Sequence, residues 1–257
     1  MLQNNWIKIV FVILINVTQL HAQRNVSDSA ISMPLLAAQY GINATAGDLH
    51  DIHGMFNHVG FFAGYKTKTN WIFGIDGNFM FGNRVQISNE ELFSNLIDSH
   101  GNITDINGDV AIVPTYSRGY NVNATVGKII PVLSPNPNSG IYLNAGAGYL
   151  VHHIRIETQN QVVPQIELNY KRGYDRLRSG LNTHQFIGYY FMSNKSFVNF
   201  YGGFYIQEGF TYNRRPVFYN DPDTPVPQNM MLDIQYGVKF AWMIPIYKRK
   251  PKDFYFN

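Results

Sequence analysis

The stretch Leu232-Asp233-Ile234-Gln235-Tyr236-Gly237-Val238-Lys239-Phe240-Ala241-Trp242-Met243-Ile244-Pro245-Ile246 decides the fold. Every even position is apolar, and the odd positions hold Asp233, Gln235, Gly237, Lys239, Ala241, Met243 and Pro245. Side chains alternate across a strand, so this is one strand with an apolar face and a largely polar face. It is far longer than the usual soluble strand of about 5–6 residues. A tilted strand of about 9–11 residues already crosses a bilayer. A strand in hydrocarbon cannot leave its backbone unpaired, so the question for the rest of the chain is whether it repeats the pattern often enough to close a barrel.

The pattern recurs upstream. Gln39 to Ala46 sets Tyr40, Ile42, Ala44 and Ala46 against Gln39, Gly41, Asn43 and Thr45. Val59, Phe61, Ala63 and Tyr65 oppose His58, Gly60, Phe62 and Gly64. Trp71, Phe73, Ile75, Phe79 and Phe81 oppose Asp76 and Asn78, and Tyr116, Tyr120, Val122, Ala124 and Val126 oppose Asn121, Asn123 and Thr125. From Ile141 to Ile156, Leu143, Ala145, Ala147, Tyr149 and Val151 oppose Asn144, Gly146, Gly148 and His152. The phase there changes at Ile154 and Ile156, which predicts a bulge. Asn182 to Met192 is aromatic on both parities and gives no facing, whereas Phe197 to Gln207 alternates again.

The expected fold is an all-β, eight-stranded, antiparallel, up-and-down transmembrane barrel. Connections near Thr67, Asn136 and Asn194 are short, and those near Asp51, Asn95, Tyr170 and Asp221 are longer. Short turns at one end, long loops at the other and an even strand number are the habit of outer-membrane barrels. A short helix is expected in the second long loop. Ser88 and Glu91 form a capping box, Leu92, Phe93, Leu96 and Ile97 a stripe, and Gly101 a stop.

Lys8 followed by the apolar run Ile9 to Ile15, with Ala22 at a cleavage position, predicts a secretory signal peptide over 1–22. The remaining divisions are a leader over 23–38, the barrel over 39–246 and a basic-aromatic periplasmic tail over 247–257. Charged residues make up 14% and aromatics 15% of the 257 residues, with 22 glycines, which suits a membrane barrel. A net charge of +3 is too small to argue for nucleic acid. With no cysteine, disulfides, a lipid-modified N-terminal Cys, Cys-based zinc sites and thiol catalysis are excluded.

Charge decides which face meets lipid. A charge at the bilayer midplane costs up to about 2–4 kcal/mol, less for acids, so the polar faces turn inward. The expected interior holds Asp76, Asn78, Asn121, Asn123, Asn144, His152, Asp233, Gln235 and Lys239, with Lys239 paired to Asp233 or Asp76. An eight-stranded interior is wide enough only for side chains, so a hydrogen-bonded plug is expected rather than a conducting path.

With its signal peptide, its Gly-aromatic strands (Gly60-Phe61-Phe62-Ala63-Gly64-Tyr65 and Gly146-Ala147-Gly148-Tyr149) and its loop pattern, the chain resembles the small outer-membrane barrels of the OmpA/OmpX-like and PorT-like type common in Bacteroidota. The resemblance covers roughly Gln39 to Ile246. It implies the outer membrane of a Gram-negative bacterium, a C-terminus in the periplasm, contact with the bilayer and lipopolysaccharide, and insertion by the barrel-assembly machinery. It also implies a structural or protein-interaction role, as in the accessory barrels of the type IX secretion apparatus. The chain departs from the pattern at its end, since such barrels usually finish on an aromatic residue of the last strand.

Rim enzymes acting on lipid A or phospholipid acyl chains, and narrow pores, are the alternatives. Rim chemistry needs a Ser or water activated by His and oriented by an acid. The histidines available are His50, His53, His58, His100, His152, His153 and His184; no compact His-x-Ser motif accompanies them, so no catalytic residue is expected. His184 is expected to start a strand near the outer rim. His50, His53 and His58 have no recognised metal spacing, and neither metal nor cofactor is expected. Lys171 to Arg178 is a basic loop cluster suited to phosphates. In the tail, Lys248, Arg249, Lys250 and Lys252 precede Phe254, Tyr255 and Phe256. Exposed aromatics beside a basic run suit a headgroup surface or a protein partner.

Overall fold

The computed structural model describes residues 29–159, 161–194 and 198–246. The signal peptide over 1–22 and the tail over 247–257, with Lys248, Arg249, Lys250, Lys252, Phe254, Tyr255 and Phe256, lie outside the described residues. Eight long strands form a closed barrel: β1 (Met33–Gly47), β2 (Phe56–Lys66), β3 (Trp71–Gly82), β6 (Thr115–Ile130), β7 (Gly140–Ile156), β8 (Arg178–Met192), β9 (Asn199–Asn213) and β10 (Met231–Pro245). The second long loop carries the helix α1 (Asn89–Leu92) and a hairpin of β4 (Ile103–Thr104) with β5 (Val110–Ala111). Ser88 caps α1 by accepting from the Glu91 N–H at 3.2 Å. The helix is shorter than its apolar stripe because Phe93 already leaves helical geometry at φ −117°.

Closure is made by β1 and β10, antiparallel from Leu35↔Pro245 to Gly47↔Asp233. Gly237 lets the seam close tightly, since a Cβ there would lie 2.0 Å from the Ile42 carbonyl oxygen. The register then fixes the shape. Leu36 pairs with Ala63, Ala63 with Ile75, Ile75 with Ala124 and Ala124 with Ala147. Ala147 pairs with Thr183, Thr183 with Glu208, Glu208 with Ile234 and Ile234 with Ala46. One circuit therefore climbs ten residues along β1, from Leu36 to Ala46. Over eight strand spacings that climb tilts the strands by roughly 40°.

Three features differ from expectation, and in each the chemistry of the inward face is the cause. The barrel begins at Met33, so Met33 to Ala38 belong to β1 and not to a leader over 23–38. These residues are apolar on both parities because their inward members, Met33, Leu35 and Ala37, enter an apolar plug at the short-turn end. The phase change in β7 involves no bulge: β6 and β7 pair without interruption from Thr115↔Ile156 to Ile130↔Ile141. Ile154 and Ile156 simply point inward, under the long loops. Strands β8 and β9 extend to Arg178 and Asn213, where inward side chains are polar and read as loop.

Outward side chains form an apolar band. Tyr65, Trp71 and Trp242 border it near the short turns, and Phe79, Tyr120, Tyr149 and Tyr236 border it near the long loops; all are exposed. Between them lie exposed Ile42, Phe61, Ile75, Val122 and Val238. Replacing Val238 by Arg should destabilise the barrel by about 2–4 kcal/mol, and Leu232→Arg near the upper border by only about 0–1. Denaturant unfolding in phosphatidylcholine vesicles measures both, and equal costs would contradict this placement of the band.

Candidate functional site

The interior is built in three storeys. At the short-turn end, Tyr142 packs against Phe186, Tyr190 and Tyr201 with ring centroids 5.5–5.7 Å apart. Met33, Leu35, Ile72, Ile129, Met192 and Met243 complete this plug. Beneath it, Asn138 Oδ1 accepts from the Ile31 N–H at 2.9 Å and from Lys66 Nζ at 2.8 Å. Residues just before β1 are thereby tied across the lower opening.

The middle storey is polar. Lys239 Nζ lies 3.1 Å from Asp76 Oδ2. The amide of Gln39 donates to Asp76 Oδ2 at 3.1 Å and to Asn78 Oδ1 at 2.7 Å, while Tyr201 donates to Gln39 Oε1 at 3.0 Å. Asn78 donates to Asp76 and, at 3.0 Å, to Asn121, which also accepts from Asn123 at 3.1 Å. Asn182 donates to Asn123 at 2.6 Å, and Asn144 to the Tyr142 hydroxyl at 3.0 Å. One acid and one base thus sit in a lattice of amides. Their shared burial favours a matched pair over either charge alone.

The upper storey joins the barrel to its loops. Asp233 accepts from His152 Nε2 at 2.8 Å, from Arg178 Nη1 at 3.3 Å and from the Thr211 hydroxyl. His152 Nδ1 meets His53 Nε2 at 3.1 Å, and His53 Nδ1 meets Ser117 Oγ at 2.9 Å. Ser117 Oγ donates onward to the Arg84 carbonyl at 3.0 Å. This relay draws on the first loop, β6, β7 and β10, so no local motif announces it. A serine, histidines and an aspartate are hydrolase components. Ser117 is only 3% exposed, however, and its proton is already committed to Arg84. The relay is a clasp that holds the first two long loops onto the barrel.

Above the clasp the loops are themselves packed. Phe93, Ile103, Val113, Ile154, Ile166 and Tyr174 form a buried cluster. Arg176 stacks over Phe218 at 3.7 Å and donates to Asn220 at 2.8 Å, and Asp175 pairs with Arg215. Of the Lys171 to Arg178 cluster, Arg176 and Arg178 therefore serve the cap and the interior; Arg172 is exposed and Lys171 partly so.

All nine side chains expected inside — Asp76, Asn78, Asn121, Asn123, Asn144, His152, Asp233, Gln235 and Lys239 — are buried there. The structure pairs Lys239 with Asp76 and gives Asp233 to His152 and Arg178. The three early histidines diverge: His50 meets Thr45, His53 meets His152, and His58 meets Asn43 and Tyr205. Among the described residues no group of three His, Asp or Glu side chains could hold a metal. His184 is not at the outer rim but inside, 2% exposed and beside Tyr205. Its strand is aromatic on both parities, which hid its facing.

An exterior of exposed aliphatic and aromatic side chains around a closed barrel far exceeds the patch of a few hundred Å² usual on a soluble monomer. This is a membrane barrel. No family model matches the chain, and no curated protein matches it. Among solved structures the chain is similar to Ail, the attachment invasion locus protein of Yersinia pestis, in complex with the heparin analogue sucrose octasulfate. The identity is 11% over 83% of this chain and 99% of that one, with a TM-score of 0.34. It is also similar to OprG of Pseudomonas aeruginosa, at 8% identity over 86% and 99% of the two chains and a TM-score of 0.36. The N-terminal β-barrel domain of Pseudomonas aeruginosa OprF gives 8%, 81% and 96%, with a TM-score of 0.33.

Two measurements test this interior. Lys239→Met leaves Asp76 buried without its cation and should cost about 3–5 kcal/mol, most of it recovered when Asp76→Asn is added. A double-mutant cycle by denaturant unfolding reads this directly. Burial, reinforced by the neighbouring His152, holds the His53 imidazole well below its ordinary value of 6.5. The stability that follows is present above 6.5 and is lost as pH falls from there toward the folded value. Proteolysis of the loop over residues 48–55 should therefore quicken between roughly pH 7.5 and pH 5, less so in His53→Asn.

Proposed function

We propose that the chain is an outer-membrane barrel of the OmpA/OmpX-like or PorT-like type, without enzymatic activity, with a structural or protein-interaction role. On this reading it is an accessory of an envelope complex such as the type IX secretion apparatus. It is inserted by the barrel-assembly machinery, surrounded by phospholipid and lipopolysaccharide, and has its short turns and C-terminus in the periplasm.

One observation carries the reading: the interior is closed at both ends. The ring of tyrosines around Tyr142 shuts the lower end, and the clasp and loop cluster shut the upper one. A sealed interior disfavours the narrow pore, and the buried hydroxyl of Ser117 disfavours a hydrolase that uses the relay. What remains for function is the outer surface, the folded cap and the tail. In the tail, Lys248, Arg249, Lys250 and Lys252 with Phe254, Tyr255 and Phe256 supply the contact to a partner or to headgroups.

The test is affinity capture of the full chain from cross-linked outer membranes beside a chain lacking Lys248 to Asn257. One partner should be recovered with the full chain and lost with the truncated one. Identical partners from both, or stepwise conductance in planar bilayers, would overturn the proposal.

A further inference from the structure

The lipid-facing band is interrupted at one place. On β8 and β9 the outward positions include Thr183, Gln185 and Glu208. Apart from Asn57 at the outer end of β2, Thr183 and Gln185 are the only polar side chains facing out between the aromatic borders among the described residues, and Glu208 stands level with the upper border, one residue pair beyond Tyr236 and its partner Ile206. They form a unit. Glu208 Oε2 accepts from Thr183 Oγ1 and, at 3.0 Å, from Gln185 Nε2. Its other oxygen receives no donor among the described residues.

Two features flank this unit along the membrane normal. On the membrane side, Gln185, Ile187, Phe204, Ile206, Tyr236 and Val238 line an open apolar groove of about 500 Å³. Toward the loops, Arg214 lies against the same face. Its guanidinium contacts Ser179 Oγ at 2.7 Å, the Ser179 carbonyl at 3.1 Å and the Tyr149 hydroxyl at 3.3 Å, at the upper aromatic border. The order from loops to midplane is therefore cation, acceptor cluster, apolar groove.

We propose that this face of β8, β9 and β10 is a specific site for a phosphorylated N-acyl glycolipid of the lipid A class. Its phosphate meets Arg214, its amide or hydroxyl donors meet Glu208 and Gln185, and an acyl chain lies in the groove. The inference rests on the outer-membrane reading above. The depth of Glu208, just inside Phe210 on the same strand, is where the linkages between headgroup and acyl chains lie. A second copy of this chain is the poorer occupant. Its outward Lys128 and Arg118 lie on β6, away from this unit, so a symmetric contact through this face brings carboxylate to carboxylate and the Arg214 guanidinium to its own copy. An anionic phospholipid without linkage donors satisfies Arg214 but leaves Glu208 unmet.

The full chain is folded into phosphatidylcholine nanodiscs doped with either lipid A or phosphatidylmethanol, an anionic phospholipid without hydrogen-bond donors, and native mass spectrometry reads the lipid retained per barrel. Lipid A should be preferred by roughly tenfold, the effect of one hydrogen bond, and Glu208→Leu should abolish that preference. Gln185→Leu, a second outward change, should weaken it, and both variants should keep the wild-type shift between folded and heated gel bands. Equal retention of the two lipids by the wild type, or an unaltered preference in both variants, overturns the proposal. A wild-type dimer dissolved by Glu208→Leu with no change in lipid also overturns it, in favour of the second copy. Failure of the outer-membrane reading is seen separately, as a chain that does not fractionate with outer membranes.

Discussion

The fold depends on the pairing of β1 with β10. In hydrocarbon a backbone N–H or C=O without a partner costs several kcal/mol, and an open sheet exposes a whole row of them. Pairing from Leu35↔Pro245 to Gly47↔Asp233 removes that row. The ten-residue climb from Leu36 to Ala46 is the price of closure only in the geometric sense: a sheet cannot meet itself without a stagger. Stagger and strand number together set the radius, and at eight strands the radius admits side chains and little else.

That narrow interior explains the three storeys. A side chain turned inward must touch side chains from the opposite wall, so each level takes one chemistry. Aromatic rings fill the level near the short turns, where Tyr142, Tyr190 and Tyr201 meet. Amides surround Lys239 and Asp76 in the middle, because two charges removed from water need each other and further hydrogen bonds as well. At the loop end the charges are shared with the loops. Asp233 reaches His53 through His152, and residues far apart in the chain become one clasp.

How far the sequence revealed this depends on whether two periodicities agreed. Where one face meets lipid and the other meets polar groups, as in β10 and β6, alternation discloses strand, facing and burial together. Gln39, Asn43, Asp76 and Lys239 were readable for that reason. Where the inward face is also apolar, alternation vanishes although the strand continues. Met33 to Ala38 then resembles a leader, and Ile154 and Ile156 resemble a bulge. Strand β8 failed for the complementary reason. Its inward face runs from polar His184 to aromatic Phe186 and Tyr190, and its outward face from polar Thr183 and Gln185 to aromatic Tyr189 and Phe191. The clasp was hidden by distance, since His53, Ser117, His152 and Asp233 converge only once the register is known.

The same constraint bears on where function can reside. A wide barrel can act through its lumen, and a soluble sandwich through either face. Here buried side chains fill the lumen, and the surfaces open to other molecules among the described residues are the loops and the lipid-facing wall. On that surface an aliphatic residue is the cheapest choice at nearly every position, and the chain takes it at Ile42, Ile75, Val122 and Val238. Glu208 departs from this rule in company: Thr183 and Gln185 orient its carboxylate, leaving one oxygen open beside an apolar groove. Polar side chains in a lipid face are destabilising unless something meets their hydrogen bonds. Thr183 and Gln185 meet theirs at Glu208, whose second oxygen makes the three positions an acceptor site on the lipid face.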